Sequence, residues 1–307
     1  MEVRELASGL RFPEGPVALS DGSVLVVEIE RGTLTRIGAD GAVDVVAEPG
    51  GGPNGAAIGP DGLVYVTNNG GCFQFHEVAG FLLPGPVPAA WEGGRIERID
   101  LDTGEIEILY EACDGRRLRA PNDLVFDVHG GFWFTDHGVR QERTSDRTGI
   151  FWAAADGSAI REVIFPLDAP NGVGLSPLGD RLYAAETHTG RVWWWDLIAA
   201  GEVVSGTNVG AAAGGQLLVG LPGLQLLDSL AVDGDGWVNV GTLGNGGVTQ
   251  ISPDGATVEH LALDDPLVTN LCFGGDELRT AYVTLSGTGR LVALDWPRPG
   301  LALAHHR

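Results

Sequence analysis

Apolar residues in this chain come in short runs, each broken by a turn and closed by a polar residue, and the frame recurs six times. Three copies open on near-identical tripeptides: PNGAAIGPDGLVYVTN from Pro53, PNDLVFDVHGGFWFTD from Pro121 and PNGVGLSPLGDRLYAAE from Pro170. Three more fit the same frame: PEGPVALSDGSVLVVE from Pro13, LDSLAVDGDGWVNVGT from Leu227 and TNLCFGGDELRTAYVT from Thr269. From the second residue of each opening to the closing polar residue the spacing is 14 in five copies and 15 in the copy from Pro170. Two apolar runs joined at Asp-Gly or Gly-Gly predict a β-hairpin. Further strands follow most hairpins, for example Gly32 to Ile37 and Val43 to Ala47, or Gly94 to Asp100 and Glu105 to Tyr110. Four strands per unit, with openings 40 to 68 residues apart, is the size of a propeller blade with insertions. No segment carries a sustained helical period. The last unit has room for three strands before Trp296, so Val3 to Ser8 is expected to supply its fourth. The pattern predicts an all-β, six-bladed β-propeller: four antiparallel strands per blade, the ring closed by the N-terminal strand, and one domain over residues 1–307.

Composition sharpens this picture at a few points. The 48 Gly and 17 Pro are spread regularly, as punctuation between short elements. Net charge is −22, and all 19 cations are Arg. The absence of Lys excludes Schiff-base chemistry and a P-loop lysine. The acidity argues against nucleic acid or an anionic membrane as partner, since both need a basic footprint. Three dispersed cysteines suit a reduced compartment. No signal-peptide pattern and no apolar run long enough to span a bilayer is visible, so a cytoplasmic protein is expected.

In a propeller the innermost strands surround an axial tunnel, so equivalent positions of the blades converge. The second residues of the openings are Glu14, Asn54, Asn122, Asn171, Asp228 and Asn270. Carboxylates and carboxamides, with no thiol or imidazole among them, are hard oxygen donors that select Ca²⁺ or Mg²⁺, then Mn²⁺, over Zn²⁺. Glu14 and Asp228 placed together would repel and be poorly solvated, and a divalent cation is their natural neutraliser. Turn preference alone accounts for Asn-Gly but not for Glu14 in Pro-Glu-Gly-Pro.

The openings PEGP, PND, PNG and LDS, with the repeats behind them, resemble the gluconolactonase, regucalcin (senescence marker protein) and luciferin-regenerating enzyme family from Arg11 to about Trp296. The resemblance implies a six-bladed propeller that binds one catalytic divalent cation, Ca²⁺ first, with Mg²⁺, Mn²⁺ or Zn²⁺ as other ions, and hydrolyses a small-molecule lactone. By the same resemblance Glu14, Asn171 and Asp228 match metal ligands, and Asn122 sits beside the metal, touching it or the substrate. The run NDLVFD…GGFWFTD with Asp228-Ser229 is most similar to bacterial drug-responsive lactonases, which brings Asp123 into the site. Asp228 is then the first candidate for base or nucleophile and Asp123 the second, with Asn54, Asn122 and Ser229 orienting substrate oxygens. A phosphotriesterase using the same positions, or a non-catalytic Ca²⁺-binding propeller, are the competing readings.

Other signals weigh less. His137 and His188 lie just past inner strands, within reach of the tunnel, and are read as structural because a lone His usually is. No Gly-x-Ser-x-Gly elbow occurs, which argues against a serine hydrolase. Asp233-Gly234-Asp235-Gly236 stands where other units have a hairpin turn, and Trp193-Trp194-Trp195 is expected to alternate between blade faces as packing. The Gly/Ala-rich stretch Gly206 to Gly215 reads as an outer hairpin loop. The insertion Gly70 to Gly93, apolar and stiffened by proline, is either a lid over the tunnel or a loop packed on a neighbouring blade. Family frequency favours a sugar lactone, while that apolar insertion favours a hydrophobic or aromatic one.

Overall fold

A computed structural model describes residues 2–206 and 212–305. Six antiparallel sheets stand around an axis, and each begins with one of the six openings. Blade one runs Pro13–Ala18, Val24–Glu28, Thr33–Ile37, Val43–Ala47 from axis to rim; blade three runs Pro121–Phe126, Gly131–Asp136, Thr148–Ala154, Ile160–Leu167. The inner strands of the others are Pro53–Ile58, Pro170–Leu175, Leu226–Val232 and Val268–Gly274. Each packs beside the inner strand of the next blade, and the last packs beside the first. Val3–Ala7 pairs with Arg290–Asp295 as the outer strand of blade six, as the strand count required. The fourth blade departs from the simple pattern: both Glu202–Val203 and Gln216–Gly220 pair with Arg191–Ala199. The stretch expected as a loop between Gly206 and Gly215 falls largely on residues outside those described. Among the described residues no helix is long and apolar enough to cross a membrane.

The core has six main apolar clusters, one at each interface between neighbouring blades, and two smaller ones beside the 70–93 insertion. This explains why second strands read as unbroken apolar runs rather than alternating ones: both of their faces are buried. In Gly131–Asp136, Phe132 and Phe134 pack toward blade two while Trp133 packs toward blade four. The tryptophan triplet obeys the same rule. Trp193 and Trp195 face blade three, and Trp194 faces blade five.

Asp233 is the acceptor of a tight turn, taking the backbone N–H of Asp235 at 3.1 Å and of Trp237 at 2.9 Å. It is fully buried and pairs with Arg298, whose Nε donates to it at 2.6 Å while the guanidinium lies 4.2 Å over the Trp237 ring. This ties the C-terminal segment to blade five. Arg298→Met is expected to lower unfolding stability by about 3 kcal/mol or more, because Asp233 stays buried without its cation. Urea denaturation of the variant measures it.

Candidate functional site

The inner strands share one irregularity that builds the site. In every blade the pairing of first with second strand slips near the opening: between Glu14 and Val17, Pro53 and Gly55, Pro121 and Leu124, Pro170 and Val173, Leu227 and Leu230, and Val268 and Asn270. A bulge releases a residue from the ladder and re-aims its side chain. The residues so released include Asn54, Asn122, Asn171 and Asp228, with Glu14 and Asn270 at the slip's edge.

Two devices hold these backbones in place. The closing polar residue of each of the first four blades lies opposite the opening proline and accepts hydrogen bonds from the chain that leads into it. Asp136 takes the N–H groups of Arg119 and Ala120, both at 2.7 Å; Glu28 takes that of Arg11 at 2.6 Å, and Glu186 that of Asp168 at 2.8 Å. Hydroxyls also reach across blades: Thr67 donates to the carbonyl of Asn122, and Thr135 to that of Asn171 at 2.5 Å. In blades one, two and four the third residue of the opening is a glycine lying close against the backbone of the neighbouring inner strand. A Cβ on Gly172 would stand 2.4 Å from the Leu230 nitrogen, so only glycine fits there.

Glu14, Asn54, Asn122, Asn171 and Asp228 line one cavity of about 190 Å³ at the axis. Each is almost fully buried. Glu14 Oε2 accepts from the N–H of Gly15 at 2.6 Å and from Asn270 Nδ2 at 2.7 Å, a bond across the seam between the first and last blades. Asn171 Nδ2 donates to Thr187 Oγ1 at 3.1 Å, which fixes its amide orientation. Ser229 Oγ donates to Asn171 Oδ1 at 3.3 Å, so Ser229 acts on Asn171. Asp123 lies deeper along the axis. It lines a second, smaller cavity walled by Leu301 and Leu303, and its carboxylate accepts from the N–H of Leu124 at 2.9 Å and of Val173 at 3.3 Å. Asn270 opens on that second cavity too.

Burial holds three carboxyls well above the ordinary carboxylate range. Glu14 is raised by burial and then by the Asp228 charge. Asp228 is pushed to about 7 by burial, with the Asn171 amide opposing the rise and the Asp123 charge adding to it. Asp123 is likewise pushed to about 7 by burial, its hydrogen bonds opposing. Beside them Asn122 Oδ1 is buried with no hydrogen-bond partner among the described residues. An orphaned amide oxygen next to two carboxyls that resist ionising has the chemistry a hard dication would satisfy, and Glu14, Asn122, Asn171 and Asp228 fit one. No three His, Cys, Asp or Glu side chains gather to hold a metal among the described residues, so amide oxygens would have to complete the shell.

The cavity has two further tiers, of which the sequence alone points only to His137. Ile29, Asn69, His137, Thr187 and Leu243 line it, and each directly follows a closing polar residue. Phe12, Ala120 and Leu226 line it as well, and each directly precedes an opening. The repeat frame itself was the signal for both. His137 and His188, read from sequence as structural, both face the cavity, their rings edge to face at 5.7 Å. Burial lowers both, and His188 falls to about 4 with the adjacent His137 and Arg140 contributing. His188 is therefore expected to stay neutral from pH 8 to pH 5, with no imidazole titration near 6.5; its ring proton shifts by NMR check this.

The insertion Gly70 to Gly93 folds as a hairpin, Phe75–Val78 with Phe81–Pro84, packed on neighbouring blades as one of the two expectations had it. Leu82 is buried against Phe12 and Ile29, and its N–H donates to the Gly287 carbonyl at 2.8 Å, which seats the hairpin on the seam of blades six and one. Cys72, Phe73 and Pro84 meanwhile wall the cavity.

A closed six-bladed ring whose inner strands present oxygen-bearing side chains to one axial cavity defines the class: a six-bladed β-propeller. Residues 12–287 match the family described as the SMP-30/Gluconolactonase/LRE-like region, and the chain belongs to that family. It is 26% identical to the gluconolactonase of Zymomonas mobilis over 92% of this chain and 79% of that protein. Among solved structures it is similar to a gluconolactonase of Xanthomonas campestris, with a TM-score of 0.73 at 21% identity, covering 96% of this chain and 89% of that one. It is also similar to regucalcin, a calcium-binding protein, from Agrobacterium tumefaciens, with a TM-score of 0.75 at 16% identity over 98% of each chain. The last two likenesses concern the fold.

Proposed function

We propose that this protein is a lactone hydrolase whose divalent cation, Ca²⁺ before other ions, is held by Glu14, Asn122, Asn171 and Asp228. The observation that carries the reading is the pairing of two proton-retaining carboxyls, Glu14 and Asp228, with the orphaned Asn122 oxygen in one cavity. Membership of the family, and a gluconolactonase among its relatives, supplies the reaction class. When bound, the cation polarises the lactone carbonyl and offsets the negative charge that develops on its oxygen.

The chain's own residues do the rest. Asp228 faces the cavity and takes the proton of the attacking water. Asp123, outside that cavity, acts through Asp228 by the charge it places behind it. Asn54 and Asn122 orient substrate oxygens, and Ser229 holds the Asn171 amide. The imidazoles of His137 and His188 stay uncharged and leave the cavity without a competing cation. Assaying lactones and a phosphotriester with Ca²⁺ and with a chelator tests the reading. Calcium-dependent lactone turnover supports it; preferential turnover of the phosphotriester, or no turnover of any lactone, overturns it.

A further inference from the structure

The cavity above the oxygen donors is two-sided. On the side of blades two to four its rim carries Asn69, His137, Thr187 and His188. On the side of blades five, six and one the wall is Phe12, Ile29, Phe73, Pro84, Leu226 and Leu243. Phe12 and Ile29 are buried, and they pack with Leu82, Phe73 and Phe75 into one cluster, the Phe12 and Phe75 rings 5.0 Å apart and the Phe73 and Phe75 rings 6.0 Å apart. The inserted hairpin thus extends an apolar face that the blades begin, and a backbone bond to Gly287 fixes it there. No Arg lines the cavity among the described residues, and the wall offers no hydrogen-bonding side chain.

We propose that the substrate is a lactone bearing an apolar alkyl or aryl substituent, its carbonyl at the oxygen donors and its substituent against Phe12, Ile29, Phe73 and Leu243. This rests on the lactonase reading and deepens it. A sugar lactone sets hydroxyls around its ring, and those turned toward this wall would lose water without gaining a partner. An alkyl or aryl group there exchanges water for carbon contacts.

The experiment compares kcat/KM of the calcium-loaded protein for D-glucono-δ-lactone, δ-valerolactone, δ-decalactone and dihydrocoumarin. The pentyl chain of δ-decalactone is expected to raise kcat/KM over δ-valerolactone by about tenfold or more, with gluconolactone the poorest of the four. Phe73→Asn and, separately, Leu243→Asn are expected to shrink the decalactone-to-valerolactone ratio by about fivefold or more, the ratio cancelling any general loss of activity. Two variants on separate elements, one in the inserted hairpin segment and one at the end of Val238–Leu243, guard against one that fails to fold. A preference for dihydrocoumarin over δ-decalactone also supports the proposal and selects the aryl substituent. Gluconolactone equal to or better than δ-decalactone overturns the proposal while leaving the lactonase standing. No turnover of any of the four, with or without calcium, overturns both.

Discussion

Stripping divalent cations is expected to abolish lactone hydrolysis, by about a thousandfold or more, and adding Ca²⁺ back is expected to restore it. Without the cation, Glu14 and Asp228 share one cavity with the Asp123 charge behind them, all three with raised proton affinities. The same proton affinities predict how stability should respond. Asp228 and Asp123, near 7 in the fold against 3.8 ordinarily, make the cation-free native state hold protons that the unfolded chain releases. Their contribution is fully present below about pH 4 and is lost as pH rises to about 7, on the order of a few kcal/mol per group. His137 and His188 pull the other way. Their depressed affinities give stability that is present above the ordinary histidine range and lost as pH falls through each depressed value, which for His188 is about 4. The histidines affect calcium-free and calcium-loaded protein alike, so the gap between the two isolates the carboxylates. Calcium must displace protons at low pH and need not at high pH, so the rise in Tm it produces should grow from pH 5 to pH 8. An equal rise at both ends, or none, counts against a cation at these carboxylates.

Asp228→Asn is expected to lower kcat/KM by about a thousandfold, the scale on which a positioned base acts. The substitution keeps the shape of the side chain and one oxygen donor, and removes the proton acceptor. It also removes a buried charge, so the cation-free variant at pH 8 should melt no lower than the native chain. That combination separates loss of chemistry from loss of fold. Asp123→Asn should cost much less, because Asp123 does not line the main cavity. A fully active Asp228→Asn protein would end the hydrolase proposal.

The fold was legible because the same physical problem is solved six times. A strand buried on both faces must be apolar throughout, and a hairpin must turn, so VLVV, VYV and FWF recur between glycines with little variation. The oxygen donors were legible for the same reason, since a position that converges on an axis repeats with the frame. His137 and His188 were placed within reach of the tunnel but read as structural, because the position after the closing residue carries no recurring chemistry: Ile29, Asn69, His137, Thr187, Leu243 and Leu285. Position was conserved by the repeat there while chemistry was not. The bulges were invisible as well. They are set by how two strands slip against each other, and Asp123 and Asp228 face different cavities although each lies within an opening tripeptide.

The chain meets itself at one seam, where Val3–Ala7 zips onto Arg290–Asp295 and Glu14 bonds to Asn270. Glu14 is therefore held by a side chain 256 residues away along the chain. Removing the strand Val3–Ala7, far from the cavity, would loosen the clasp beside Glu14, so lactone turnover should fall before most of the structure melts.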